Sequence, residues 1–89
     1  MKVTIAASQM ACSWNLEKNL EKAINIVHQS ADQGAQIILL QELFETPYFC
    51  IDTQSKHFDL AKTLSDQTTI KMMQSIAKER NVVLPISFF

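Results

Sequence analysis

Between Gly34 and Gln41-Glu42 the chain runs Ala35-Gln36-Ile37-Ile38-Leu39-Leu40, an apolar stretch too short and too bare of polar periodicity for a surface helix. Strands covered by helices on both faces read this way, and such coverage belongs to parallel sheets joined by helical crossovers. The run ends on the carboxylate of Glu42, and the edge beyond a strand's carboxyl end is where open α/β sheets place chemistry.

The flanking segments carry the periods this requires. Val3 to Ala7 are β-branched and small, with Val3, Ile5 and Ala7 alternating against Thr4, Ala6 and Ser8, which predicts a first strand. Ser13 or Asn15 offers an N-cap, and Leu16, Leu20, Ala23, Ile24, Val27 and Ala31 then recur at helical spacing, with Glu17, Lys18, Glu21 and Lys22 opposite. Gly34 should close that helix. Ala35 to Leu40 form the second strand. Leu43 to Asp59 has no sustained period and contains the Thr46-Pro47 break, so it reads as a long, partly ordered connection. Thr68 or Thr69 is the expected cap of a second helix that buries Ile70, Met73, Ile76 and Ala77 and ends near Asn81. Val82 to Phe89 supply a third strand, in which Pro85 marks a bulge or a place where one ladder hydrogen bond is not needed. The order is β-α-β-α-β, an α/β class with a mostly parallel sheet.

Eighty-nine residues allow one domain at most, and composition is that of a chain that folds: 47% apolar, 19% charged, one glycine and two prolines. Eight Lys+Arg balance nine Asp+Glu for a formal charge of -1, with no basic stripe interleaved with aromatics, so nucleic acid is not an expected partner. No apolar run exceeds four residues, far below the roughly 20 of a membrane-spanning helix. The start Met1 to Gln9 is broken by polar residues too often for a signal core, and with two cysteines a reduced, cytoplasmic setting is expected.

Glu42 has two readings. One is a solvated carboxylate at a strand end, as most such residues are. The other is a general base, partly desolvated among Leu40, Leu43 and Phe44 and thereby raised toward the range of efficient proton transfer. Glu45 lies three residues on, but Thr46-Pro47 turns the backbone away from a convergent carboxylate dyad. Cys12 and Cys50 lack the glycine-rich turn or helix start that lowers a thiol pKa and read as buried structural thiols. His28 reads as a surface or boundary residue and His57 as solvated, so no metal constellation exists in the sequence. Lys56 and Lys62 read as soluble surface rather than flanks of an anion. The single glycine excludes the glycine-rich nucleotide cradles, and no cofactor is expected. Trp14, Met10, Met72 and Met73 read as packing residues.

With these segments in place, the chain resembles the amino-terminal part of the nitrilase superfamily of carbon-nitrogen hydrolases, and within it the N-carbamoylputrescine amidases. The resemblance rests on Val3 to Met10, Gly34 to Glu45, Tyr48-Phe49-Cys50 and Val82 to Phe89, including the text Gln-Glu-Leu-Phe-Glu and Pro-Ile-Ser-Phe-Phe. It implies a four-layer α-β-β-α sandwich of which these residues form a β-α-β-α-β portion, and a Glu-Lys-Cys triad whose Glu falls on Glu42 as general base. It further implies hydrolysis of N-carbamoylputrescine to putrescine, ammonia and carbon dioxide in polyamine biosynthesis, and a homo-oligomer. Tyr48 becomes a candidate for lining the substrate pocket. The family's Lys and Cys have no counterpart at the motif positions of this sequence, so the 89 residues alone are expected to be inactive. The competing readings are a non-catalytic α/β or partner-binding module, and a relative acting on β-ureidopropionate, aliphatic amides or nitriles.

The chain ends at Phe89 inside an apolar strand, which suggests an incomplete domain. Taken alone it should expose apolar faces and unpaired strand edges and therefore associate. Its unfolding midpoint should vary with protein concentration; a sharp, concentration-independent transition would contradict this.

Overall fold

A computed structural model describes residues 1–51 and 55–89. Strand β1 (Ile5–Ala7) leads into helix α1 (Leu16–Asp32), strand β2 (Ile37–Leu39) and helix α2 (Thr68–Arg80), and the described residues between β2 and α2 include short 3-10 turns at Phe49–Ile51, Ser55–Leu60 and Leu64–Asp66. Much of the expected connection is therefore a series of tight turns, and its 52–54 part lies outside the described residues.

Both residues expected to cap α1 act at the same end. Asn15 has extended backbone and its side-chain oxygen accepts from the Lys18 amide at 3.1 Å, while the Asn15 amide donates to the Ser13 hydroxyl at 3.2 Å. Glu17 adds an acidic group to the first turn, where the helix dipole favours it. At the other end Gly34 adopts φ of 91°, and the Gly34 and Ala35 amides close onto the carbonyls of Ala31 and Ser30. Helix α2 also ends as its sequence indicates, with Asn81 left-handed at φ of 54°. Its start differs: Gln67, not Thr68 or Thr69, is the N-cap residue and makes no side-chain cap bond. The Gln67 side chain is committed elsewhere, its Nε2 donating to the Phe89 carbonyl at 3.0 Å.

β1 and β2 pair in parallel with Ile5 opposite Ile37 and Ala7 opposite Leu39, and α1 is the crossover that a parallel pair needs. On its other edge β2 meets Val83 in a single parallel bridge: Val83 donates to Gln36 O and Ile38 donates to Val83 O, each at 2.9 Å. The third strand expected over Val82 to Phe89 is thus reduced to one bridge. In a parallel ladder the next donor after Val83 is residue 85, and Pro85 has no N–H to give.

The core is Ala23 and Val27 of α1, Ala35, Ile38, Leu40 and Phe44 around β2, and Met73 and Ile76 of α2. Ala6 packs against it from β1. The opposite sheet face is bare, with Ile5 66% and Leu39 49% exposed and Val83 exposed beside them. Coverage of β2 on both faces, expected from its unbroken apolar run, is therefore corrected: among the described residues both helices contribute to a core on one side only. Trp14, Leu16 and Met72, expected to pack inward, are exposed. Asp32 and Arg80 pair between the helix C-terminal ends at the surface, where such pairs add about 0–1 kcal/mol.

Ile38 has no exposed surface, so Ile38→Ala should cost about 2–5 kcal/mol, whereas Ile5→Ala on the bare face should stay within about 0.5 kcal/mol. Urea unfolding of the two variants checks the assignment of faces; equal losses would refute it.

Candidate active site

β2 ends at Leu39 and the chain turns over residues 42–45, at the carboxyl edge of the parallel pair. Leu43 is left-handed there at φ of 51°, a conformation that is unfavourable for a branched side chain. Side chains from distant elements hold the turn in place. The Leu43 amide donates to the Ser87 hydroxyl at 2.8 Å. Gln41 accepts from the Met10 amide at 2.9 Å and donates to Cys12 Sγ at 3.2 Å, and the Cys12 thiol donates to the Phe44 carbonyl at 3.2 Å. Asn19, fully buried on α1, donates to the carbonyls of Ser13 and Glu45 at 2.6 and 2.7 Å and accepts from the Ser13 amide at 3.0 Å. Each bond satisfies a polar group whose burial would otherwise be costly.

Glu42 stands at the edge of an open hollow of about 450 Å³ lined with Leu39, Leu40, Pro85, Ile86 and Ser87. Its side chain is exposed, not partly desolvated as expected. The apolar neighbours that should have covered it, Leu40 and Phe44, turn into the core. The Tyr48 hydroxyl donates to Glu42 Oε2 at 3.3 Å, and the negative charge of Glu42 beside it is the main cause that holds the Tyr48 hydroxyl above its ordinary value. Glu45 lines a different hollow of about 140 Å³, with Phe49, Asp59 and Lys62. The two carboxylates thus face separate cavities and form no dyad.

Other candidates fall into place by burial. Desolvation raises the Cys12 thiol, against the opposing influence of Lys22 and the Gln41 amide, which suits a structural group. Cys50 is exposed, contrary to the expected buried thiol, because its 3-10 turn buries the neighbouring Phe49 instead. His57, expected to be solvated, is 8% exposed, with its ring stacked on Trp14 at 5.5 Å and tilted against Phe49 at 5.4 Å. His28 is half-buried, and Lys56 and Lys62 are exposed. Among the described residues no group of three or more His, Cys, Asp or Glu is placed to hold a metal ion, and no helix is long and apolar enough to cross a membrane.

Residues 4–89 match the family model for carbon-nitrogen hydrolase. The chain belongs to the carbon-nitrogen hydrolase family. It is 45% identical over 87 residues to an N-carbamoylputrescine amidase of Solanum lycopersicum, a match covering 98% of this chain and 29% of that protein. It is 40% identical over 87 residues to a citrullinase of Francisella tularensis, covering 98% of this chain and 30% of that protein. A carbon-nitrogen hydrolase from Helicobacter pylori G27 superposes with a TM-score of 0.83 at 26% identity, over 98% of this chain and 30% of that one. The two helices and parallel strands are therefore a portion of the nitrilase-type α/β fold. The chain spans about three-tenths of the length of the curated relatives it matches.

The polar groups that hold the turn at residues 42–45, Asn19, Gln41 and Ser87, were not among the sequence candidates. Asn19 alone left a trace: it lies four residues before Ala23, a polar residue on the face that buries Ala23 and Val27. Asn19→Ala should cost about 1–3 kcal/mol by leaving buried partners unpaired. Chemical denaturation of the variant checks it, and a loss below about 0.5 kcal/mol would refute the clamp.

Proposed function

We propose that these 89 residues are the amino-terminal part of a single carbon-nitrogen hydrolase domain that hydrolyses N-carbamoylputrescine, with Glu42 as its general base. The observation that carries the reading is the 45% identity, over nearly the whole chain, to an N-carbamoylputrescine amidase. The placement of Glu42 at the carboxyl edge of the parallel strands, on a turn fixed from three elements, supports its role. The same reading makes these strands part of one sheet in a four-layer α-β-β-α sandwich, and makes the domain a cytoplasmic homo-oligomer.

In the proposed reaction Glu42 takes the proton of a cysteine thiol supplied by the rest of the domain. The thiolate attacks the ureido carbon, a lysine stabilises the charged tetrahedral intermediate, and ammonia leaves with the proton. Water, activated by the same carboxylate, cleaves the resulting carbamoyl thioester, regenerating the thiol and releasing a carbamate that breaks down to putrescine and carbon dioxide. The citrullinase relative favours a second reading within the same chemistry. Citrulline and N-carbamoylputrescine both present a terminal ureido group on an alkyl chain, and they differ at the far end.

The full-length protein should turn over N-carbamoylputrescine in preference to citrulline, β-ureidopropionate, aliphatic amides and nitriles, as measured by ammonia release. No preference for the first compound would end the substrate assignment. Glu42→Gln should lower kcat by about 10²–10⁴-fold, the usual contribution of a positioned base.

A further inference from the structure

Tyr48 has little packing to explain its placement. Its side chain is 44% exposed, whereas the next residue, Phe49, is buried and anchored edge-on to Phe89 at 5.0 Å and against His57. Thr46-Pro47 returns the chain from the turn at residues 42–45, and this anchoring fixes where Tyr48 lies. The side chain left outside points its hydroxyl at Oε2 of Glu42, six residues earlier.

We propose that Tyr48 is a positioning residue for Glu42: its hydroxyl pins Oε2 and leaves Oε1 as the oxygen that exchanges protons. This rests on the assignment of Glu42 as the base. An exposed Glu has several freely rotating bonds, and ordering such a side chain costs up to about 2 kcal/mol of rotamer entropy. A donor on one carboxylate oxygen restricts that freedom in advance, while the second oxygen keeps its lone pairs for the reaction. Tyrosine suits the task because it remains a donor where a carboxylate is ionised. The Glu42 carboxylate that faces its hydroxyl favours the protonated phenol. A residue that merely lined the substrate pocket would need no bond to the base.

The two roles separate in the kinetics of the full-length protein. Tyr48→Phe keeps the ring and removes only the hydroxyl, and kcat for N-carbamoylputrescine should fall by about ten- to a hundredfold with KM within about twofold. A raised KM with kcat retained would overturn the positioning role in favour of substrate contact. Unchanged kcat and KM would overturn it as well. The pairing has its own readout, the phenolate absorbance titration of Tyr48, taken as the difference between proteins with Tyr48 and with Phe at that position. In a Glu42→Gln background this titration should move to lower pH, because the charge that opposed phenolate formation is gone; an unmoved titration overturns the proposal. If Glu42→Gln leaves kcat intact, the base assignment falls and this proposal with it. If Glu42→Gln inactivates while Tyr48→Phe does not, only the positioning role falls.

Discussion

β2 is hydrogen-bonded along both edges. Its Leu39 carbonyl accepts from Ser8 at 2.9 Å and the Gln36 amide ahead of it donates to Thr4 at 2.8 Å, while on the far side Ile38 and Gln36 exchange bonds with Val83. Backbone groups of a buried strand must all be matched, so this one short strand sets the height of β1 on one side and of the Val83 segment on the other. Ile38 then offers a fully buried side chain for both helices to cover. At the carboxyl edge Gln41 then reaches the Met10 amide and Cys12 Sγ, while Cys12 and Ser87 reach the Phe44 carbonyl and the Leu43 amide, and the turn carrying Glu42 is fastened there.

The helices were legible because their signals are local. Asn15, Gly34 and Asn81 act within one turn of the residues they cap or terminate, and the apolar spacing places Ala23, Val27, Met73 and Ile76 inward in any fold that uses those helices. The errors share the opposite property. His57 is buried by Trp14, far away in sequence, and no period announces such a pair. Gln67 displaces Thr68 and Thr69 as the cap residue while its side chain is tied to the Phe89 carbonyl. Val82 to Phe89 has the composition of a strand, but its pairing stops at the one residue that lacks a donor. The apolar run of β2 suggested cover on both faces, and the described residues provide it on one.

The candidate site was legible in one residue and illegible in its support. Glu42 follows a strand, and a strand's end can be read from the run before it. Asn19, Gln41 and Ser87 carry no such mark, because each acts on backbone brought near only by the completed sheet. Their chemistry is also unremarkable in isolation: an amide or a hydroxyl has many uses, and only the geometry selects one. Family likeness supplied what spacing could not, by singling out the Glu42 turn together with the Pro85-Ile86-Ser87 segment that lies against it.

These supports bear on what the turn can do. Leu43 holds a left-handed conformation that its side chain disfavours by about 1–2 kcal/mol. The surrounding bonds must therefore outweigh that strain, and they fall on Leu43, directly after Glu42, and on Glu45 two residues further on. The Ser87 hydroxyl takes the Leu43 amide, Asn19 holds the carbonyl of Glu45, and Thr46 closes back on the Leu43 carbonyl at 3.4 Å. A solvated surface carboxylate requires none of this, since water would accommodate it on any loop. A base whose proton transfer depends on reach and direction does require it. Strain held in place by two side chains from distant parts of the chain and one main-chain bond is what the proposed role of Glu42 as a base would call for.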